Sequence, residues 1–508
     1  MLNLLYPISY LLCLTGLILW FYFREQQLAS RKMSTLFLSS FLIYLFSLAF
    51  SEATLSYKLL ILFRDLAVLG ILSQTFSYVR KHAIIFILVA ILLYGLIQFF
   101  GFNVLANTFP QTVVGDEPLD DNYELLVETK DGKVPASYQH LIDEYKLTAK
   151  PAFTVADASA SELDQFIEIG IPDASEKQII KIIRALKRLS GTSYIELNEV
   201  ISLDEPQEMV GAPTVQANHV NDPMVNQQWG WAAIQGDQVH DRLGNPGVRP
   251  RKQALIAILD TGVDANHEDL KSDFVSKGSG NDTDPVGHGT HCAGIAAAVS
   301  NNRIGIASLI PDSSFVRVTS IKVLNASGMG NQQAAIQGII QAADMGADVI
   351  SLSLGSPSSD LRQKAYSEAV KYANAKGAIV VAAAGNSNLN SKNYSPANAK
   401  GIIAVSALDV NQYKAPFSNT VQDIGFAVAA PGVKIMSTYP NLQYKEMNGT
   451  SMATPMVAGL IGLMKSFNPA LTTADVYQIL NETGKNTPDS KTTGKMIQAA
   501  DALEKVLD

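Results

Sequence analysis

Asp260, His288, Asn386 and Ser451 occupy the positions of this sequence best suited to chemistry. Two continuous apolar runs, Ala254–Leu259 and Ile379–Ala384, end in Asp260-Thr261-Gly262 and Gly385-Asn386. Such runs read as strands buried on both faces, and residues just past the carboxyl ends of these strands line the ligand crevice of an open α/β sheet. Gly287-His288-Gly289-Thr290-His291 leads into a small-residue helix, Cys292–Val299, and Gly449-Thr450-Ser451-Met452-Ala453 opens an apolar helix running to about Met464. A serine at a helix N-terminus suits a nucleophile. Its own N–H lacks a helical partner, and the local field favours a developing oxyanion.

Rival readings attach to the same segments. His288 and His291, three apart on a helix, could ligate a metal, but no third ligand such as a HExxH glutamate accompanies them. Cys292 could act as a nucleophile, yet it lies inside a helix of small residues. Gly328-Met329-Gly330 could suggest a nucleotide loop, but it follows Val323-Leu324 and lacks the third glycine.

The elements that must position these residues begin near residue 220, where apolar strands start to alternate with helical segments, the pattern of a largely parallel α/β sheet. Before it, residues 122–205 read as a small α+β unit. Tyr123–Thr129 alternates like a strand, Ser137–Leu147 has helical spacing, and a short apolar run lies at 152–155. Glu176–Leu189 is an amphipathic helix with Ile179, Ile180, Ile183 and Leu186 on one face, and Ser193–Ile201 reads as a final strand. With no Cys, an isolated His140 and scattered carboxylates, this unit offers no chemistry of its own.

An acidic, Pro-containing linker (106–121) separates that unit from residues 1–105, read as an all-α membrane region. Apolar stretches at 4–23, 34–51, 59–79 and 83–102 are each long enough to cross a hydrocarbon core of about 30 Å. A cleaved signal peptide is the rival for the first, but it lacks a basic leader and three more stretches follow. A soluble helix bundle would need polar faces that are nearly absent. Loop one carries Arg24, Arg31 and Lys32, and loop three carries Arg80 and Lys81. Loop two has only Lys58, so the positive-inside bias directs everything after residue 103 outward. Arg64 and Asp65, inside the third stretch, either snorkel and pair or mark a functional site.

Taken in order, Asp-Thr-Gly at 260–262, His-Gly-Thr-His at 288–291, Ala-Ala-Gly-Asn at 383–386 and Gly-Thr-Ser-Met-Ala-Thr-Pro at 449–455 resemble the subtilisin family, most closely its thermitase-like branch. The Asp…His…Ser order is that of subtilisin. The resemblance covers about 220–508 and implies a serine endopeptidase with Ser451 as nucleophile, His288 as general base and acid, and Asp260 orienting His288. Asn386 and the Ser451 N–H would form the oxyanion hole. Ser327 with the Gly328-Met329-Gly330 stretch and Ser353-Leu354-Gly355 would flank an extended peptide substrate, which pairs with them as an added strand. Cys292 would be the buried thiol of thermitase-like members. A structural Ca2+ would be held by Asp222, Asp269, the Asn302 side-chain oxygen and the carbonyls of Val299, Ile304 and Ile306. The alternative is that Asp222 and Asp269 merely cap turns, and Arg303 within that loop counts against a cation unless its side chain points to solvent. Met456 stands where the family usually has His, and Ser308–Ser320 departs from the usual pattern, implying an altered surface loop.

The family is generally made with a small α+β propeptide that assists folding and inhibits until cleaved, which 122–205 suits in size and position. Cleavage would then fall within about 203–222. The fold expected is therefore a subtilisin-like α/β parallel-sheet domain, preceded by a propeptide-like α+β domain and a four-helix membrane region. The net charge of −8 and the lack of a basic run argue against a nucleic-acid partner. Two cysteines, Cys13 and Cys292, cannot make a disulfide framework. The competing function is a membrane sensor or transporter with a degenerate protease-like domain, against which the intact set of Asp260, His288, Asn386 and Ser451 argues.

Overall fold

A computed structural model describes residues 12–13, 15–17, 19–20, 27–49, 62, 122–172, 175–203, 213–358 and 364–507. The chain divides into two compact units, Met1–Asp116 and Glu117–Asp508. In the first, helix α1 spans Gln27–Ala49, so Arg31 and Lys32, expected in a loop, lie within it. The polar residues before the apolar stretch are ordinary helix formers, and Ser34 and Thr35 both donate back to the Arg31 carbonyl at 2.9 Å. Among the described residues no helix is long and apolar enough to cross a membrane. The third and fourth expected spans, with Arg64 and Asp65, lie almost wholly outside the described residues.

The second unit begins with an antiparallel sheet of order β2-β3-β1-β4, formed by β1 (Asn122–Thr129), β2 (Thr148–Pro151), β3 (Phe166–Pro172) and β4 (Thr192–Leu197). Two helices, α2 (Gln139–Tyr145) and α3 (Glu176–Leu186), accompany it. The central strand β3, Phe-Ile-Glu-Ile-Gly-Ile-Pro, was not anticipated, although its alternation is the period of a strand. On α3 the fully buried positions are Ile179, Ile182 and Leu186, while Ile180 and Ile183 are half-buried. The final strand breaks at Asn198-Glu199, after which β5 (Val200–Ser202) leaves this sheet.

Six parallel strands in the order β12-β11-β10-β9-β6-β7 form the main sheet. They are β6 (Ala254–Asp260), β7 (Val316–Lys322), β9 (Val349–Leu352), β10 (Ile379–Ala383), β11 (Ile403–Leu408) and β12 (Ala427–Pro431). Helix α4 (His288–Ala297) and the central helix α7 (Thr450–Phe467) are buried along their whole lengths. Small residues permit this: a Cβ on Gly459 of α7 would sit 2.6 Å from the Ala296 carbonyl oxygen. Within Ser308–Ser320 only the short turn at 311–314 reaches the surface. Ser308 through Ile310 are buried, Trp231 Nε1 donates to the Ser308 carbonyl at 2.8 Å, and β7 begins at Val316. Met456 is buried against Gly230.

The small sheet lies on α5 (Gln332–Asp344) and α6 (Lys364–Ala375). Leu126, Phe153, Leu163 and Phe166 share one apolar cluster with Ile336, Ile340, Tyr366 and Val370. Buried carboxylates complete the contact. Glu196 accepts from Gln332 Nε2 at 2.8 Å, Glu168 from Gln333 Nε2 at 2.6 Å, and Glu128 pairs with Lys364. Burial pushes the Glu196 carboxyl up to about 7, its hydrogen bonds to Ala365 N and Gln332 offsetting only part of that cost.

Candidate active site

Asp260 is the last residue of β6 and is completely buried. Its carboxylate accepts from Thr261 N at 2.8 Å and from His288 Nδ1 at 2.8 and 2.9 Å. His288 is the first residue of α4, which starts four residues earlier than expected because Gly287, at φ +100°, turns the chain into the helix. Close approach also dictates Gly289, whose Cβ would lie 2.1 Å from the Gly262 carbonyl oxygen. Burial of the imidazole favours its neutral form, but the Asp260 charge outweighs it and holds His288 well above the usual histidine range. Asp260 thus fixes Nδ1 as the donor and leaves Nε2 to exchange a proton.

Ser451 stands one residue inside α7. Its hydroxyl donates to the Ser353 carbonyl at 3.1 Å, while the Ser353 hydroxyl donates to the Ser451 carbonyl at 2.9 Å. The Ser451 hydroxyl proton is therefore aimed at the Ser353 carbonyl rather than at His288 in this substrate-free arrangement, a looseness common before substrate binds. Asn386 Oδ1 accepts from Thr450 N and Thr450 Oγ1, both at 2.9 Å, which orients the amide. A Cβ on Gly449 would lie 3.4 Å from Ser451 N and 3.5 Å from Asn386 Nδ2. Ser451 N and Asn386 Nδ2 thus both lie close to Gly449, whose missing side chain leaves them uncrowded. Stabilising an oxyanion formed by attack of Ser451 on a carbonyl would require N–H donors of this kind.

The rivals fare worse. Asp260, His288 and Cys292 bring possible ligand atoms within 4.8 Å of one another, the only such cluster among the described residues. His288 Nδ1 is already committed to Asp260, and burial pushes the Cys292 thiol up, disfavouring a thiolate. His291 points elsewhere, its Nε2 donating to the Lys445 carbonyl at 2.9 Å, and burial pulls it down to about 3.

The expected peptide-binding segments carry a strand of this chain. β5 pairs antiparallel with β8 (Met329–Asn331), matching Val200 to Asn331, Ile201 to Gly330 and Ser202 to Met329. Leu203 N donates to the Gly328 carbonyl at 3.1 Å, and Ser202 bridges to Gly355 on the other side. Gly328 and Gly355 therefore flank an extended segment, with Ser353 and Leu354 leading from the end of β9. Ser327 instead sits in an exposed turn, its N–H donating to Asn325 Oδ1 at 2.9 Å. Met329 and Gly330 belong to the stretch expected to flank a peptide, whereas Asn331 was missed. Its pairing partner Val200 lies far away in sequence, so no local spacing announces it.

At the expected cation site Asp222 and Asp269 are both buried, and among the described residues neither pairs with a Lys or Arg. Asp222 accepts from Asn301 N at 2.9 Å and Asn302 N at 3.2 Å, and Asp269 accepts from Asn302 Nδ2 at 2.7 Å and Ile306 N at 2.9 Å. Burial, helped by repulsion from Asp222, pushes Asp269 up to about 7. Asn301, Arg303 and Gly305 take positive φ, coiling the 299–306 loop, and the Arg303 side chain is exposed. Two buried like charges without a cationic partner beside a loop of oxygens fit a hard divalent ion. In this arrangement the Asn302 oxygen accepts from Ile304 N at 2.6 Å, so the amide must turn to serve as a ligand.

The chain resembles known proteins in sequence and fold. The subtilase family model matches residues 251–496. Thermitase from Thermoactinomyces vulgaris is 46% identical over 256 residues, covering 48% of this chain and 85% of that protein. M-protease from Shouchella clausii is 34% identical over 352 residues, 68% of this chain and 85% of that protein. The solved structure of a protease from Pseudoalteromonas arctica aligns with TM-score 0.50 and 28% identity, over 57% of this chain and all of that one. With a parallel-sheet domain of this kind and relatives at this level of identity, the chain belongs to the subtilase family of serine endopeptidases.

Proposed function

We propose that this protein is a membrane-anchored subtilisin-type endopeptidase, made as a zymogen, that hydrolyses polypeptides outside the cytoplasm. The observation that supports the reading is the buried Asp260–His288 pair, with Cys292 Sγ 3.9 Å from His288 Nδ1 and 3.5 Å from the Ser451 carbonyl, and Asn386 hydrogen-bonded to Thr450 beside Ser451. Ser451 Oγ attacks the peptide carbonyl while His288 Nε2 takes its proton. The tetrahedral oxyanion lies between Ser451 N and Asn386 Nδ2. His288 then gives the proton to the departing amine, leaving an acyl-enzyme that water hydrolyses by the same route. Asp260 keeps the imidazole in the correct tautomer and stabilises its charged form.

Residues 122–202 act as the inhibitory propeptide, with β5 lying where a substrate strand would. The match to M-protease supports this, because 68% of the chain reaches beyond 220–508. Expression of the full chain beside its Ser451→Ala form tests the reading. Only the former should yield a fragment beginning within 203–222, and an active wild type that remains 508 residues long would overturn self-processing.

Arg24, Arg31, Lys32, Arg80 and Lys81, which flank the apolar stretches of residues 1–105, support an outward-facing protease. A reporter fused after residue 105 is expected to work only when it must be exported. Activity confined to a cytoplasmic reporter would reverse the topology.

A calcium ion at Asp222, Asp269, Asn302 and the carbonyls of Val299, Ile304 and Ile306 would neutralise the buried pair and fasten the start of the catalytic domain to the loop after α4. Binding to the folded state alone adds about 2.7 kcal/mol at a hundredfold excess over Kd. Chelator should lower the Tm of the wild type and leave Asp269→Ala nearly unchanged. Identical melting of the wild type with and without chelator would remove the ion from this account.

A further inference from the structure

Beside the catalytic pair lies a second buried carboxylate that the mechanism above does not use. Asp284 is 7% exposed, and among the described residues no Lys or Arg pairs with it. Its Oδ1 accepts from Thr261 Oγ1 at 2.8 Å, Gly287 N at 2.8 Å and Val286 N at 3.1 Å. Its Oδ2 accepts from Thr290 N and Thr290 Oγ1, both at 2.8 Å. These donors bracket the site: Thr261 follows Asp260 at the end of β6, while Gly287 and Thr290 flank His288 at the start of α4. One carboxylate therefore ties the strand bearing the acid to the helix bearing the base.

The Thr261 hydroxyl makes the link more than mechanical. It accepts from Gly289 N at 3.1 Å, so its single proton must go elsewhere. Two carboxylate oxygens compete for that proton, Asp284 Oδ1 at 2.8 Å and Asp260 Oδ1 at 3.2 Å. The shorter bond goes to Asp284. Asp260 Oδ1 then keeps only Thr261 N and His288 Nδ1 as donors. Each further donor to a carboxylate disperses its charge and weakens its attraction for a neighbouring cation.

On the reading of Asp260 and His288 as catalytic, we propose that Asp284 is a positioning residue for that pair. It sets the separation of β6 and α4 and, by holding the Thr261 hydroxyl proton, keeps the Asp260 charge directed at His288. Without Asp284 the hydroxyl swings to Asp260 and becomes a third donor, and the imidazolium loses part of its stabilisation. Among the described residues the other ionisable group acting on His288 is Cys292 on its own helix, held neutral by burial, as is His291 three residues further on. Ser451 and Ser353, from α7 and the end of β9, carry no charge.

The test is kcat and KM across pH for the self-processed enzyme, normalised to titrated active sites, in wild type, Asp284→Asn, Thr261→Val and the double variant. Asp284→Asn should lower kcat at least about tenfold with KM within about twofold, because the reacting groups are displaced but no substrate contact is lost. Its acid limb should move down by about half a unit or more, since His288 protonates less readily. Thr261→Val should leave the acid limb in place, because Asp260 keeps the same two donors, and adding Asp284→Asn to it should not move the limb either. A merely structural Asp284 would reduce the number of active sites without shifting the limb. An unshifted limb in Asp284→Asn overturns the proposal. So does a downward shift in Thr261→Val, which still reads if Asp284→Asn fails to mature. A wild type without peptidase activity would instead refute the catalytic reading itself.

Discussion

Replacement of Ser451 by alanine is expected to lower kcat by about 10⁶-fold, the loss caused in subtilisin itself by removing its nucleophile. The size of the effect follows from the chemistry. On the proposed mechanism Ser451 Oγ is the attacking nucleophile, so no acyl-enzyme forms without it. What remains is water attacking a carbonyl polarised by the oxyanion donors, which is slow because His288 has no bound nucleophile to deprotonate. The same substitution should leave the fold intact, since the Oγ makes a single bond, to the Ser353 carbonyl. Self-cleavage should stop as well, leaving β5 in the groove. The measurement is peptide hydrolysis per mole of folded protein; activity near the wild-type level would eliminate Ser451 as nucleophile.

Asp260→Asn should cost about 10⁴-fold in kcat with little change in KM. An asparagine preserves the shape of the buried site but can present an N–H to His288 Nδ1 where the carboxylate presented oxygens at 2.8 and 2.9 Å. The imidazole then adopts the tautomer with its proton on Nε2, facing Ser451, and can no longer accept the serine proton. The sign of the pH effect is fixed by the same contact. Asp260 raises His288 against the pull of burial, so its neutralisation lets burial win and the histidine titrates lower. A variant retaining more than about a tenth of wild-type kcat would show that His288 does not depend on Asp260 for its tautomer.

The strands and helices that bear the catalytic groups were legible in the chain because each is encoded locally. A run such as Ala254–Leu259 is apolar throughout because β6 is buried on both faces, and it ends at Asp260 because the crevice begins there. Gly449 and Gly287 mark turns that only glycine enters easily, at φ +147° and +100°, so the helix starts carrying Ser451 and His288 announce themselves within a few residues. The paired acids Asp222 and Asp269 were found by likeness to a family segment. Their burial without a cationic partner among the described residues supplies the physical reason for suspecting an ion.

Other features depended on contacts between segments far apart in the chain. The pairing of β5 with β8 joins residue 200 to residue 331, and hydrogen-bonding capacity along a strand edge says nothing about which strand will use it. Strand β3 was overlooked because its alternation is short and its neighbours β1 and β2 come from elsewhere in sequence. Asp284 looked like any polar residue in a loop. Its importance lies in five donors gathered from positions 261 to 290, which only the packing of α4 against β6 assembles. The sequence alone determined which groups were present and on which elements, since apolar periodicity and backbone conformation are local properties. The tertiary structure decided which carboxylate receives which proton, because hydrogen bonds a few tenths of an ångström apart in length are set by the packing of the whole domain.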